Sequence, residues 1–116
     1  MSFRMLQTDV LNWANDKDLL HAENADKQFM KFIEEVFEFK TEMDNYDFNT
    51  GNLKTYFFRR MKDEMGDIFV TLIILCEQIG IDPEECLSMA YEKISKRKGR
   101  TINGNFYKQE DLEGME

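Results

Sequence analysis

Two acidic motifs carry the chemistry this chain could do: Glu34-Glu35-x-x-Glu38 and Asp63-Glu64-x-x-Asp67. On a helix, carboxylates at i,i+3 share one face, about 60° apart around the axis. Two such helices packed face to face would bring four or five acidic side chains of these motifs to one point. All-oxygen donors suit a hard divalent cation, Mg²⁺ or Mn²⁺ rather than zinc. A cation held there can grip a phosphate chain.

Acidic residues on a helix usually form no more than a solvated face, but three features set these apart. Glu34/Glu38 and Glu38/Glu42 are like-charge pairs at i,i+4, each unfavourable by a few tenths of a kcal/mol. Lys31 offsets only part of that charge. On the later helix, Glu64, Asp67, Thr71 and Gln78 fall in one arc of about 60°, flanked by Val70 and Ile74 on one side and Ile68 and Leu75 on the other. A polar stripe set into an apolar helix cannot simply face bulk water, and ionised carboxylates drawn into it must be paired or bind metal. On the earlier helix, Gln28, Lys31, Glu35 and Glu38 share a matching arc of about 80°, and Gly66 beside the second motif permits close backbone approach.

Other metal chemistries fit less well. A di-iron bundle would ask for Glu-x-x-His pairs, whereas the single histidine, His21, falls in a connector, at a surface or capping position. Asn45, Asp47 and Asn49 alternate as in a calcium-binding loop, but the sixth position is Thr50 rather than Gly and the twelfth is Tyr56 rather than Glu. That segment reads as an ordinary loop.

The elements that must position the motifs are helical. Phe3, Leu6, Val10, Leu11, Trp13 and Ala14 predict an amphipathic helix over about 2–15, closed by Asn15-Asp16-Lys17-Asp18. A connector over 19–25 precedes a second helix over about 26–44, and a polar loop over 45–52 follows it. The third helix, about 53–79, is apolar nearly all round in its second half and should be the buried element, stopped by Gly80. Asp82-Pro83-Glu84-Glu85 is a strong start for a fourth helix that reaches about Arg97. Asn103-Gly104 predicts a turn in the tail, which forms a short hairpin or folds over a neighbour. The expected fold is all-α: one domain over 1–116, a small bundle of four or five helices.

Composition narrows the function further. With 116 residues, one proline and six glycines, the chain can bury a core without disulfides or a structural metal. A net charge of −8 argues against nucleic-acid binding over the whole surface. Cys76 and Cys86 match no zinc spacing and read as buried thiols of a reduced protein. The longest apolar stretch, Ile68–Cys76, is too short to span a bilayer. A soluble, cytoplasmic protein with no nucleic-acid or membrane partner is expected.

At these motifs the chain resembles the MazG-like, all-α nucleoside triphosphate pyrophosphohydrolases. The resemblance rests on Gln28-x-x-Lys31-x-x-Glu34-Glu35-x-x-Glu38 followed by Asp63-Glu64-x-Gly66-Asp67. It extends to Trp13, to Ala90-Tyr91-Glu92-Lys93-Ile94 and to the basic run Lys96-Arg97-Lys98-Gly99-Arg100. The tail Asn103-Gly104-Asn105-Phe106 is similar to that of short, single-domain members, including those carried by phages, so the likeness covers about residues 10–108. Asp63 stands where Glu is commoner, at a position outside the ligand set that follows.

The resemblance implies cleavage of a nucleoside triphosphate between the α and β phosphates, giving a monophosphate and pyrophosphate. It makes Glu35, Glu38, Glu64 and Asp67 the ligands of Mg²⁺, with Mn²⁺ as a substitute. A single Mg²⁺ usually takes one or two protein carboxylates, so four suggest a second metal or an acidic surrounding shell. Either Glu38 or Glu34 can take the proton of the attacking water, with Glu38 favoured. Lys31 and Gln28 lie on the same stripe and are candidates to bind substrate. Lys93, Arg97 and Arg100 are further phosphate-binding candidates, although cations there also suit a helix C-terminus. Trp13 either stacks on a base or packs in the core. Helix three needs cover on several sides, and family members pair through such helices, so a homodimer or homotetramer is expected. The competing reading is a non-catalytic acidic helical module that binds a basic partner. Within the family, neither the base nor a pyrophosphate-linked compound such as an alarmone is settled by spacing.

Overall fold

The computed structural model describes residues 1–114, in two compact units, 1–82 and 83–114. The first unit holds α1 (Phe3–Asp16), a 3-10 turn (Ala22–Asn24), α2 (Ala25–Phe48) and α3 (Gly51–Ile79). Ser2 caps α1, its Oγ accepting from the Met5 amide at 3.1 Å. The helix buries Ala14 and Gln7 and packs on α3, with Phe3 edge-on to Phe69 at 5.6 Å. As its apolar wheel predicts, α3 supplies most of the core, through Ile73, Ile74 and Cys76. Gly80 ends it in the left-handed conformation, φ 77°, where a side chain would be strained.

The α2–α3 pair is a helical hairpin joined by Asn49 and Thr50 alone. The polar loop expected over 45–52 is therefore mostly helix, and α2 runs to Phe48. Tertiary contacts hold its last turn. Lys54 donates to the Tyr46 carbonyl at 3.0 Å, its ammonium lies 3.8 Å over the Tyr46 ring, and Tyr46 packs on Phe58. Asn49 Nδ2 closes the end on the Asn45 carbonyl at 2.7 Å. His21 sits exposed in the connector and pairs with Asp18.

The second unit holds α4 (Pro83–Ser95), a hairpin of β1 (Gly99–Ile102) and β2 (Asn105–Lys108), and α5 (Gln109–Glu113), which buries Leu112. Pro83 opens α4 at its first position, where its missing N–H costs nothing. Ile102 pairs with Asn105 across Asn103 and Gly104, both at positive φ, as a two-residue primed turn requires. The expected small all-α bundle is observed, with this hairpin as its only sheet among the described residues. Contrary to expectation, Cys86 is exposed, because α4 turns no buried residue inward; Cys76 is buried. Among the described residues no helix is long and apolar enough to cross a membrane.

Candidate metal centre and adjoining hollow

The two polar stripes meet along the α2–α3 groove. Gln28 Nε2 donates to the Thr71 carbonyl at 3.2 Å, and further along, Glu35 meets Glu64. Residue numbers rise on one helix as they fall on the other, so the hairpin alone sets the two acidic motifs opposite each other. Neither motif could be placed against the other from its own spacing.

Glu35, Glu64 and Asp67 each offer a carboxylate oxygen within 4.8 Å of the other two. Glu38 is exposed on the same stripe and adds both charge and a side-chain hydrogen bond at Glu35 and Glu64. Crowding makes Glu35 and Glu64 harder to ionise. Burial, then hydrogen bonds of the protonated carboxyl with Glu64 and Glu38, then the charges of Glu38 and Asp67, raise Glu35 to about 7. Glu64 is raised chiefly by burial, although the hydrogen bond from Glu35 works against the rise.

Two side chains outside the predicted set join the cluster. Glu42, one turn beyond Glu38, is mostly buried, and Arg60 reaches across with Nη2 3.6 Å from Glu42 and 4.0 Å from Glu64. The sequence carries a faint signal for both: Glu42 continues the i,i+4 acidic row, and Arg60 stands at i,i+4 from Glu64. Only the hairpin register shows that Arg60 serves two carboxylates. Glu34 is exposed and is not among the groups that perturb Glu35 or Glu64.

Glu35 Oε2, Glu42 Oε2 and Glu64 Oε2 are shielded from solvent with no hydrogen-bond partner among the described residues. One guanidinium against this many carboxylates leaves buried acceptors unmatched, an arrangement that costs stability until a cation arrives. The donor set is all oxygen, from facing helices, and fits Mg²⁺ or Mn²⁺. Glu35, Glu64 and Asp67 would hold the ion, with Glu38 beside them.

One to two turns along the same groove lies a hollow of about 440 Å³. Trp13, Gln28, Lys31, Val70, Ile74 and Gln78 are among its walls. Helical rise places Lys31 about 6 Å and Gln28 about 10 Å from Glu35 along the α2 axis. Trp13 is half exposed, so it faces this hollow rather than the core. Sequence reasoning did not single out Gln78 as a binding residue, although its place on the α3 stripe was a signal. Lys93 and Arg97 lie in the second unit, where they line a separate basic hollow of about 600 Å³ with Lys96, Lys98 and Lys108. Arg100 is exposed on β1 opposite Tyr107.

A helical hairpin that gathers half-buried and exposed carboxylates beside a largely apolar hollow defines a domain of the all-α type. The family model for the MazG nucleotide pyrophosphohydrolase domain matches residues 20–101, most of the chain, and the protein belongs to that family. Membership implies a hydrolase acting on nucleotide pyrophosphate bonds, and such domains typically bind a divalent metal. The matched segment includes both acidic motifs, Gln28, Lys31 and the basic run, while Trp13 precedes it. No curated protein and no solved structure matches the chain.

Proposed function

We propose that the protein is a Mg²⁺-dependent nucleotide pyrophosphohydrolase that cleaves a ribo- or deoxynucleoside triphosphate between its α and β phosphates. One observation carries this reading. The groove that collects Glu35, Glu64 and Asp67 opens, within two helical turns, into a hollow walled by Trp13, Gln28 and Lys31. A nucleotide with its phosphates at the carboxylates can extend its nucleoside into that hollow.

A divalent ion in the cluster neutralises phosphate charge and acidifies a water. The chain's own residues do the rest. Water adds to phosphorus as the α–β anhydride bond breaks, pyrophosphate leaves, and the water's proton passes to Glu38, whose carboxylate is exposed beside the cluster. Glu34 is the second candidate for that proton. Lys31 meets phosphate charge from the hollow side, Gln28 orients the sugar or base, and Trp13 offers a stacking face. In the second unit, the hollow at Lys93 and Arg97 suits phosphate, and Arg100 keeps the same proposed role.

We also propose a homodimer or homotetramer. Ala14, Ile73, Ile74 and Cys76 are the buried apolar residues of the first unit, whereas Phe37 and Phe48 are 67% and 87% exposed. A core this thin is completed by a second copy. Two free thiols, one exposed, suit a reducing, cytoplasmic setting.

The alternative of an acidic docking module predicts carboxylates open to solvent, and the shielded oxygens of Glu35, Glu42 and Glu64 count against it. The test is pyrophosphate release from a panel of nucleoside triphosphates with Mg²⁺, Mn²⁺ or EDTA, with Glu38→Gln as control. Metal-dependent release of monophosphate and pyrophosphate, lost in the variant, supports the reading. No turnover together with no metal binding by calorimetry sinks it.

A further inference from the structure

Gln78 is 7% exposed, and its carboxamide is held in one orientation. Its Nε2 lies 2.8 Å from the carbonyl oxygen of Leu19. A carbonyl only accepts, so the amide nitrogen must face it and the amide cannot flip. The side-chain oxygen is left with no partner among the described residues, although the residue lines the hollow. Gln28, on the facing helix, is fixed the same way by the Thr71 carbonyl. The hollow thus carries two glutamines, each with one amide N–H given to a backbone carbonyl and a side-chain oxygen with no partner among the described residues.

We propose that the hollow selects nucleobases that carry an exocyclic amino group on the pairing edge, with the Gln78 oxygen as its acceptor. This deepens the proposed pyrophosphohydrolase reading and rests on it for the placement of the nucleoside. Cytosine and adenine present an amino donor at that edge, whereas uracil, thymine and hypoxanthine present an oxygen in the same place. An oxygen set against the Gln78 oxygen leaves two buried acceptors facing each other, while an amino group satisfies the one that is orphaned. A buried polar group that a substrate alone completes discriminates far more strongly than an apolar wall of equal shape. Val70, Ile74 and Trp13 supply that apolar wall and do not distinguish the members of an amino/oxo pair. Gln28 serves as the second acceptor, towards a ring or sugar donor.

The experiment compares pairs that differ only in this group: dCTP against dUTP, and dATP against dITP. The expected kcat/KM ratio is at least about 30 in favour of the amino member of each pair. In Gln78→Met, checked for folding by circular dichroism, both ratios should fall to within about threefold. Trp13 is the single tryptophan and lines the hollow, so its fluorescence gives a readout independent of turnover. Titration with dCMP and dUMP should show the same preference. Equal use of both members, or preference for the oxo member, overturns the base assignment while metal-dependent turnover leaves the hydrolase reading standing. Ratios unchanged in a folded Gln78→Met overturn Gln78 as the acceptor. If Gln78→Met does not fold, the wild-type ratios and the titration decide. Absence of turnover on every nucleotide removes the hydrolase reading; the fluorescence preference then stands or falls alone.

Discussion

Replacing Glu35 by Gln should stabilise the metal-free protein at pH 8 and weaken its response to Mg²⁺. Burial and the neighbouring Glu64, Glu38 and Asp67 raise the Glu35 carboxyl from 4.5 to about 7. Each unit of such a shift is worth about 1.4 kcal/mol, which sets a ceiling of roughly 3 kcal/mol on the cost of ionising Glu35 in the folded chain. Gln removes the charge but leaves a buried amide to be satisfied, so about 1–2 kcal/mol should be recovered. For a chain of this length that is roughly 4–8 °C in Tm. Below about pH 4.5 the group is protonated in folded and unfolded chains alike and costs nothing. Between there and about pH 7 the folded chain keeps a proton that the unfolded chain releases, so stability falls as pH rises, and above that the full cost stands. The variant should lose most of this slope. Mg²⁺ acts in the opposite sense, because it binds the ionised cluster of the folded state and stabilises it by mass action. The assay is thermal unfolding by circular dichroism at fixed protein concentration, at pH 5 and pH 8, with EDTA or with Mg²⁺. A variant less stable than the parent at pH 8 in EDTA, or one that gains as much from Mg²⁺, would refute a crowded, cation-binding Glu35.

Glu38→Gln should lower kcat by about 10²-fold or more, the usual worth of a positioned base, while calorimetry still detects Mg²⁺ at Glu35, Glu64 and Asp67. Arg60→Met removes the cation that now competes for Glu42 and Glu64. Its half-exposed position screens the effect, so Mg²⁺ should bind a few fold more tightly, and weaker binding would count against that competition. Light scattering should give two or four times the 13.9 kDa chain mass; a monomer at micromolar concentration would overturn the proposed assembly. Gly104→Val places a β-branched residue at φ 81° in the hairpin turn. It should destabilise the hairpin by about 1–2 kcal/mol, seen as faster amide exchange over 99–108.

The residues by themselves determined the helices and what they could bind. The i,i+3 carboxylates, the apolar second half of α3, Pro83, Gly80 and the Asn103-Gly104 turn all act within a few residues. Their conformational preferences therefore survive in the folded chain. The family likewise follows from motif order, and the matched segment confirms it. Tertiary structure decided the rest. Residues 45–48 became helix because Lys54 and Phe58, on another element, grip Tyr46, a contact that local polarity does not encode. Cys86 stayed exposed because burial depends on which face finds a neighbour. Arg60 bridging Glu42 and Glu64 depends on hairpin register, and the orientation of the Gln78 amide depends on a carbonyl at Leu19, far away in the sequence. A side chain's type sets which bonds it can make. The packed fold sets which of them remain unmade, and those unmet bonds at Glu35, Glu64 and Gln78 mark where a metal and a base are expected.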